Sequence, residues 1–469
     1  MFARGRPAGP QKAYRLEGGS YKLAHIMTQT AWVLSLSQFY LSLGFVLFFL
    51  ALELGLAWVL FGFRLRARHS QAALLAYRFW ARVFALSLIL GFAASVPLLL
   101  QIGTLWPGFM ERAGEVAGPL VGMAVLTSFI FKSCFLGAML YGQRSLSDRA
   151  HTLVVGMVAV GTSLTAWWIS VLLAWLQWPT GAVLSDGRYQ VSDWLELLGG
   201  IAPVLFGVLL AGGLLLAVTL MLAVTAWRTE VRPSDAGDRS VYAGALRLVL
   251  LALVLQTLLV AALGRELLPL QPARVAAVVP QWTSGPPERL SLAAWPDEAQ
   301  GRDAWRLPGP AEWPSWVRLP ADGPLRGLND LAGIRPPLVA TYLTARLAVL
   351  LTGLLAALAA WALWRGRRLG YEPDHLSRAG RIGLRAMAWL AALLQAAGWG
   401  HLLIGSLPYA IQGTVSLREI GTTAGEGALW FVLCLQLAVY GALAAGFHQL
   451  LRHATRYGVV PVARHRGRA

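Results

Sequence analysis

The chain has 469 residues, 57% hydrophobic and 13% charged, with a formal net charge of +17. So few charges on so apolar a chain exclude a soluble globule, in which about a quarter of residues are charged. The two cysteines, Cys134 and Cys434, both fall inside apolar runs, which excludes a disulfide framework, a haem-attachment motif and a metal knuckle.

A hydrocarbon core of about 30 Å takes about 20 apolar residues per helix. Nine runs meet that length, at about 31–60, 73–101, 119–142, 152–177, 198–227, 241–263, 337–364, 382–405 and 426–450. The expected organisation is a polar tail (1–30), six helices (31–263), one large polar loop (264–336), three helices (337–450) and a basic tail (451–469). Residues 1–24 hold no apolar stretch of the kind a cleavable signal peptide needs. The loop is rich in Pro and Trp, as in Trp295-Pro296 and Trp313-Pro314-Ser315-Trp316.

The positive charge is distributed by topology, which argues against nucleic acid as a partner. Alternate connections carry Arg64, Arg66, Arg68 and Arg78, then Arg144 and Arg149, then Arg228, Arg232 and Arg239. Six more arginines lie between 365 and 385 and five after 450, whereas the opposite short loops carry only Arg112, Arg188 and Arg418. The positive-inside rule therefore expects a cytoplasmic carboxyl terminus, with the amino terminus and the 264–336 loop outside. The basic amino-terminal tail (Arg4, Arg6, Lys12, Arg15, Lys22) opposes this, against five agreeing loops.

Within the apolar runs a few polar residues stand out. Lys132 lies near the middle of the third run and Glu53 toward the inner end of the first. A charge at mid-bilayer costs roughly 2.5–3.5 kcal/mol on insertion scales, so Lys132 must face protein, water or a carboxylate. Two readings follow: it lines a proton path, or it forms a structural ion pair with Glu53. Pro97 marks a kink or an end in the second run, and the third is expected to start at Gly118-Pro119-Leu120. In the fourth, Gly161-Thr162-Ser163-Leu164-Thr165 suits close helix contact. The histidines at run ends (His25, His151, His448) need no more than interfacial roles.

Short pieces along this frame, in order, resemble subunit I of the cytochrome bd oxygen reductases. They include Gln38-Phe39, Arg78-Phe79-Trp80, Gln101-x-Gly103-Thr104-x-Trp106, Gly118-Pro119-Leu120, Gly161 to Ile169 and Gln177-x-Pro179. The loop adds Gln271-Pro272-Ala273-Arg274, Trp282-Thr283, Pro296-Asp297 and Gly327-Leu328-Asn329-Asp330. Gly398-Trp399 and Thr423-Ala424-Gly425-Glu426 complete the set. The resemblance implies an all-α integral membrane bundle of nine helices, in which the long segment is a quinol loop. It also implies haem groups, and here the text departs from the family. The two histidine ligands fall on Val46 and Val208, the methionine on Ala348 and the helix-eight carboxylate on Leu403. Two helix-three glutamates fall on Met123 and Lys132, and the loop's Lys and Glu on Arg274 and Val279.

The expectation is a pseudo-subunit I without haem of its own, paired with a haem-bearing subunit I-like protein and further small membrane subunits in a bacterial or archaeal cytoplasmic membrane. Lys132, Glu53 and Gln101 are its proton-path or intramembrane-charge candidates. Arg346 and Arg274 are the residues of a vestigial quinol site, with snorkelling as the plainer role for Arg346. His401 and Met123 are the donors nearest the lost ligand positions, which leaves open an active oxidase subunit with relocated ligands. A redox-silent subunit of another respiratory complex, such as one fed by cytochrome c, is the third reading.

Overall fold

In lipid every backbone N–H and C=O must find a partner within the protein, so each apolar run closes into a helix. The computed structural model describes residues 28–286, 291–309 and 325–457. Among these residues nine helices are long and apolar enough to cross a membrane. Before the loop come α1 (Gln29–Arg66), α2 (Gln71–Thr104), α3 (Pro107–Tyr141), α4 (Asp148–Gln177), α5 (Ala202–Val231) and α6 (Ala236–Leu267). After it come α7 (Leu338–Arg368), α8 (Arg378–Ile404) and α9 (Glu426–Tyr457).

Side chains close the helix ends. The hydroxyls of Thr28, Ser70, Ser147 and Ser377 accept the N–H groups of Ala31, Ala73, Ala150 and Gly380. At the start of α6, Asp235 and Asp238 form a reciprocal capping box. Hydroxyls inside the bundle are satisfied locally, as Ser87, Thr162, Thr165, Ser170 and Thr219 each donate to the carbonyl four residues back.

The bundle is built around α1 and α5, whose apolar windows are each 67% buried, against 22% for α7 and 17% for α9. Glycine lets the two central helices meet backbone to backbone. A Cβ on Gly55 would overlap the Gly213 carbonyl, and one on Gly213 would overlap that of Ala51.

One element differs from expectation, and at Pro97 one of two readings is settled. Helix α3 starts at Pro107 rather than at 119, because Pro107 occupies the first turn, where a missing N–H costs nothing. Its opening turns carry Glu111, Arg112 and Glu115, so apolarity alone could not reveal them. Pro97 does not end α2, which continues to Thr104.

The described part of the long connection is folded. It holds a short helix, Pro272–Val278, and an antiparallel hairpin of two strands, Ser291–Asp297 and Arg302–Pro308, that pairs Trp295 with Trp305. A small core of Ala276, Ala277, Trp282, Leu328, Leu331 and Leu338 fastens it to the start of α7. The Trp313-Pro314-Ser315-Trp316 text, the basic amino-terminal tail, His25 and the arginines beyond Arg456 lie outside the described residues.

Candidate functional site

Helices α1, α2, α3 and α4 converge on one buried ion pair. Lys132 Nζ lies 2.7 Å from Glu53 Oε2, and the two side chains are 5% and 3% exposed. Two features bring them together. Residues Ser128–Ser133 of α3 form a π turn, whose wider winding re-aims Lys132. In α2, Gly91 leaves room for the carboxylate, since any Cβ there would overlap Glu53 Oε1. The π turn is itself seated by α4, where Gly161 admits the Phe131 side chain and Thr165 Oγ1 lies 3.3 Å from Thr127 Oγ1. The site therefore holds two titratable groups with no net charge, and a proton passed between them leaves a neutral acid and amine.

Gln101 does not join this pair. It stands ten residues from Gly91 along α2, about 15 Å of helix. Its Nε2 donates to Gln436 Oε1 at 3.1 Å, and Gln436 Nε2 donates to Ser42 Oγ at 2.6 Å and the Gln38 carbonyl at 2.8 Å. Tyr440 donates to Ser42 at 3.0 Å, and Gln38 to the Leu429 carbonyl at 2.8 Å. This second polar cluster ties α9 to α1 and α2.

A third cluster lies under the loop. Arg274, on the short helix, is buried and donates to Gln177 Oε1 and the Leu402 carbonyl, both at 2.8 Å. These acceptors lie at the carboxyl ends of α4 and α8, where helix dipoles favour a cation. Gly405 makes the approach possible, since a Cβ there would stand 2.6 Å from Arg274 Nε. Burial pulls the guanidinium down to about 9, opposed by the nearby Tyr40, so it remains a cation at neutral pH. Gln271 Nε2 donates to the Gln177 carbonyl at 2.8 Å.

Arg346 reaches from α7 into the same loop. It donates to Tyr342 Oη at 3.2 Å, to the Ser291 carbonyl at 3.1 Å and to the Val278 carbonyl at 3.3 Å. Val279 is fully buried beside Val275 and Leu325, so the position matched to the family's loop glutamate is part of an apolar cluster. His401 Nδ1 is 3.2 Å from the Thr341 carbonyl, and Met123 is 37% exposed on α3.

Gly91, Gln436, Tyr440 and Gln177 escaped the sequence reading as site residues. Gln436 carried a signal, being an amide in an otherwise apolar run. Gly91 carried none, because its role depends on how α1 and α2 are phased.

Among the described residues, nine helices long and apolar enough to cross a membrane, six before the long connection and three after it, fit the layout expected of subunit I of the bd-type oxidases. The family model of cytochrome bd terminal oxidase subunit I matches residues 34–459, and the chain belongs to that family. It is 29% identical over 259 residues to cytochrome bd-II ubiquinol oxidase subunit 1 of Escherichia coli, covering 54% of this chain and 50% of that protein. That match spans only half the relative's length. Cytochrome bd ubiquinol oxidase subunit 1 of Bacillus subtilis is 22% identical over 386 residues, covering 78% of this chain and 81% of the relative. The bd oxidase structure from Geobacillus thermodenitrificans matches with a TM-score of 0.81 at 21% identity, covering 91% of this chain and 98% of the other, which shows the shared fold.

Protein-held haem iron needs an imidazole, thioether, thiolate, carboxylate or phenolate at a fixed position. Val46, Val208, Ala348 and Leu403 supply none of these. Val208 is itself buried in the apolar core, and Val46 lies nine residues before the Gly55 contact between α1 and α5. The residues present do not fit haem held in the manner the family resemblance implies.

Proposed function

We propose that this chain is a non-catalytic, subunit I-like member of a cytochrome bd-type terminal oxygen reductase complex, paired with a haem-bearing subunit I. The replacement of iron donors by Val46, Val208, Ala348 and Leu403, within a chain that keeps the family fold, carries this reading. Its work is to complete the protein surface around the partner's haems, with the Glu53–Lys132 pair and the Gln101 cluster as polar sites that could serve a proton path. Arg274 and Arg346 act as loop anchors, since each donates to protein acceptors of the loop or the helix ends beneath it. Two related folds in one complex would meet about a pseudo-two-fold axis.

The test is a visible spectrum with pyridine haemochrome on the purified chain, alone and then with its native partners. No haem alone and bd-type bands in the complex are expected. Stoichiometric haem in the isolated chain would overturn the proposal.

One observation favours a second reading, an active subunit with a relocated ligand. His401 Nδ1 lies 3.2 Å from the Thr341 carbonyl, and in the tautomer that donates Nδ1–H to it, Nε2 would carry the lone pair a metal needs. Under that reading His401→Ala abolishes the Soret band of the isolated chain. Under the first there is no band to lose.

A further inference from the structure

At the end of the bundle opposite the folded loop, α2, α5, α6 and α9 enclose a cleft of about 340 Å³ that no step above uses. We propose that this cleft is a binding site for a phosphate-bearing anion at the membrane surface. The proposal does not depend on whether the chain holds haem.

The argument rests on which charges are already committed. Arg228 and Arg232 line the cleft, and so do Asp235 and Asp238. Arg228 pairs with Asp238 Oδ1 at 2.6 Å, and Arg232 lies 3.0 Å from Asp235 Oδ2 and from Asp238 Oδ2. The same two carboxylates cap the start of α6. Two cations and two carboxylates thus cancel, and neither aspartate is left to neutralise anything else.

The cleft is lined by two further arginines. Arg78 has only a neutral acceptor, Gln143 Oε1 at 2.9 Å, and Arg456 is in no ion pair among the described residues. Two exposed guanidiniums facing one cavity repel each other, and a bound anion removes that repulsion. Planar guanidinium forks match phosphate oxygens in pairs.

The remaining wall is apolar, formed by Leu75, Phe79, Trp80 and Val241. An entirely aqueous ligand gains nothing from that wall, whereas a glycerophospholipid places its phosphate at the arginines and its acyl chain on the aromatic side. Helix ends are the depth at which headgroups lie. Free phosphate shares the charged half of this chemistry but not the apolar half.

The experiment uses full-length protein purified from membranes in mild detergent, titrated with phosphatidylglycerol, phosphatidylcholine or inorganic phosphate while its thermal midpoint is followed. Phosphatidylglycerol is expected to raise the midpoint well above phosphatidylcholine. Arg78→Gln/Arg456→Gln should weaken that effect by roughly tenfold or more in lipid concentration, and Arg78→Lys/Arg456→Lys, which keeps the charge but loses the fork, should fall between wild type and the Gln pair. Arg456→Gln alone, at an exposed and unpaired position, tests the site without threatening the fold. An equal effect from inorganic phosphate supports the site and assigns free phosphate as its source. Equal midpoints in phosphatidylglycerol and phosphatidylcholine, or equal responses from wild type and the Gln variants, overturn the proposal.

Discussion

Lys132 and Glu53 neutralise each other in a place where neither could stand alone. Removing one partner of a buried pair leaves an uncompensated charge and typically costs about 3–5 kcal/mol, whereas replacing both by apolar groups of similar size is often neutral or stabilising. Lys132→Met is therefore expected to lower the thermal midpoint of the purified protein sharply, and Glu53→Leu/Lys132→Met to recover most of the loss. If the pair also carries protons in the oxidase complex proposed above, the recovered double variant will still slow oxygen consumption by that complex. A purely structural pair predicts recovery of both stability and rate. How far this was legible in the sequence has a physical limit. A charge inside an apolar run demands a partner, and Glu53 at a matching depth was the natural candidate. The π turn at Ser128–Ser133 and the gap at Gly91 were not legible, because they arise from the phase of three helices against one another. For the same reason Gln101 looked like a companion of the pair, although its partners are on α9.

At the scale of elements, the apolar runs announced the helices because membrane thickness fixes their length. The loop announced only its polarity. One of its anchors is Arg274, which fastens the short helix Pro272–Val278 to the carboxyl ends of α4 and α8. Arg274→Met keeps the volume but leaves Gln177 Oε1 and the Leu402 carbonyl without their charged donor, at about 1–3 kcal/mol for the groups stranded. The loop should then detach locally before the bundle melts. Limited proteolysis of the variant should cut within 264–336 well before any cut in the helices, while helical circular dichroism stays unchanged. Cleavage at the wild-type rate would show that Arg346 and the small core around Trp282 hold the loop without Arg274.

For the whole molecule, the net charge of +17 has its explanation in which end of the bundle carries it. Arg64 closes α1, Arg228 closes α5, and Arg365, Arg367 and Arg368 close α7. Arg239, Arg381 and Arg385 lie in the first turns of α6 and α8, and Arg452 and Arg456 in the last turns of α9. Because successive helices alternate direction, all these termini share one end of the bundle, and the folded loop lies at the other. Arginine is retained on the cytoplasmic side during insertion, so the arginine-rich end should face the cytoplasm. The basic tail that argued the other way lies outside the described residues, and labelling can decide between them. A membrane-impermeant maleimide applied to intact cells should modify a cysteine placed at Ser284, in the loop, and leave one placed at Arg239 untouched until the membrane is opened. Cys134→Ser and Cys434→Ser remove the native thiols, both of which are exposed on the helix surface. The reverse labelling pattern would invert the molecule, and the phosphate-binding cleft would then face the outer leaflet rather than the anionic inner one.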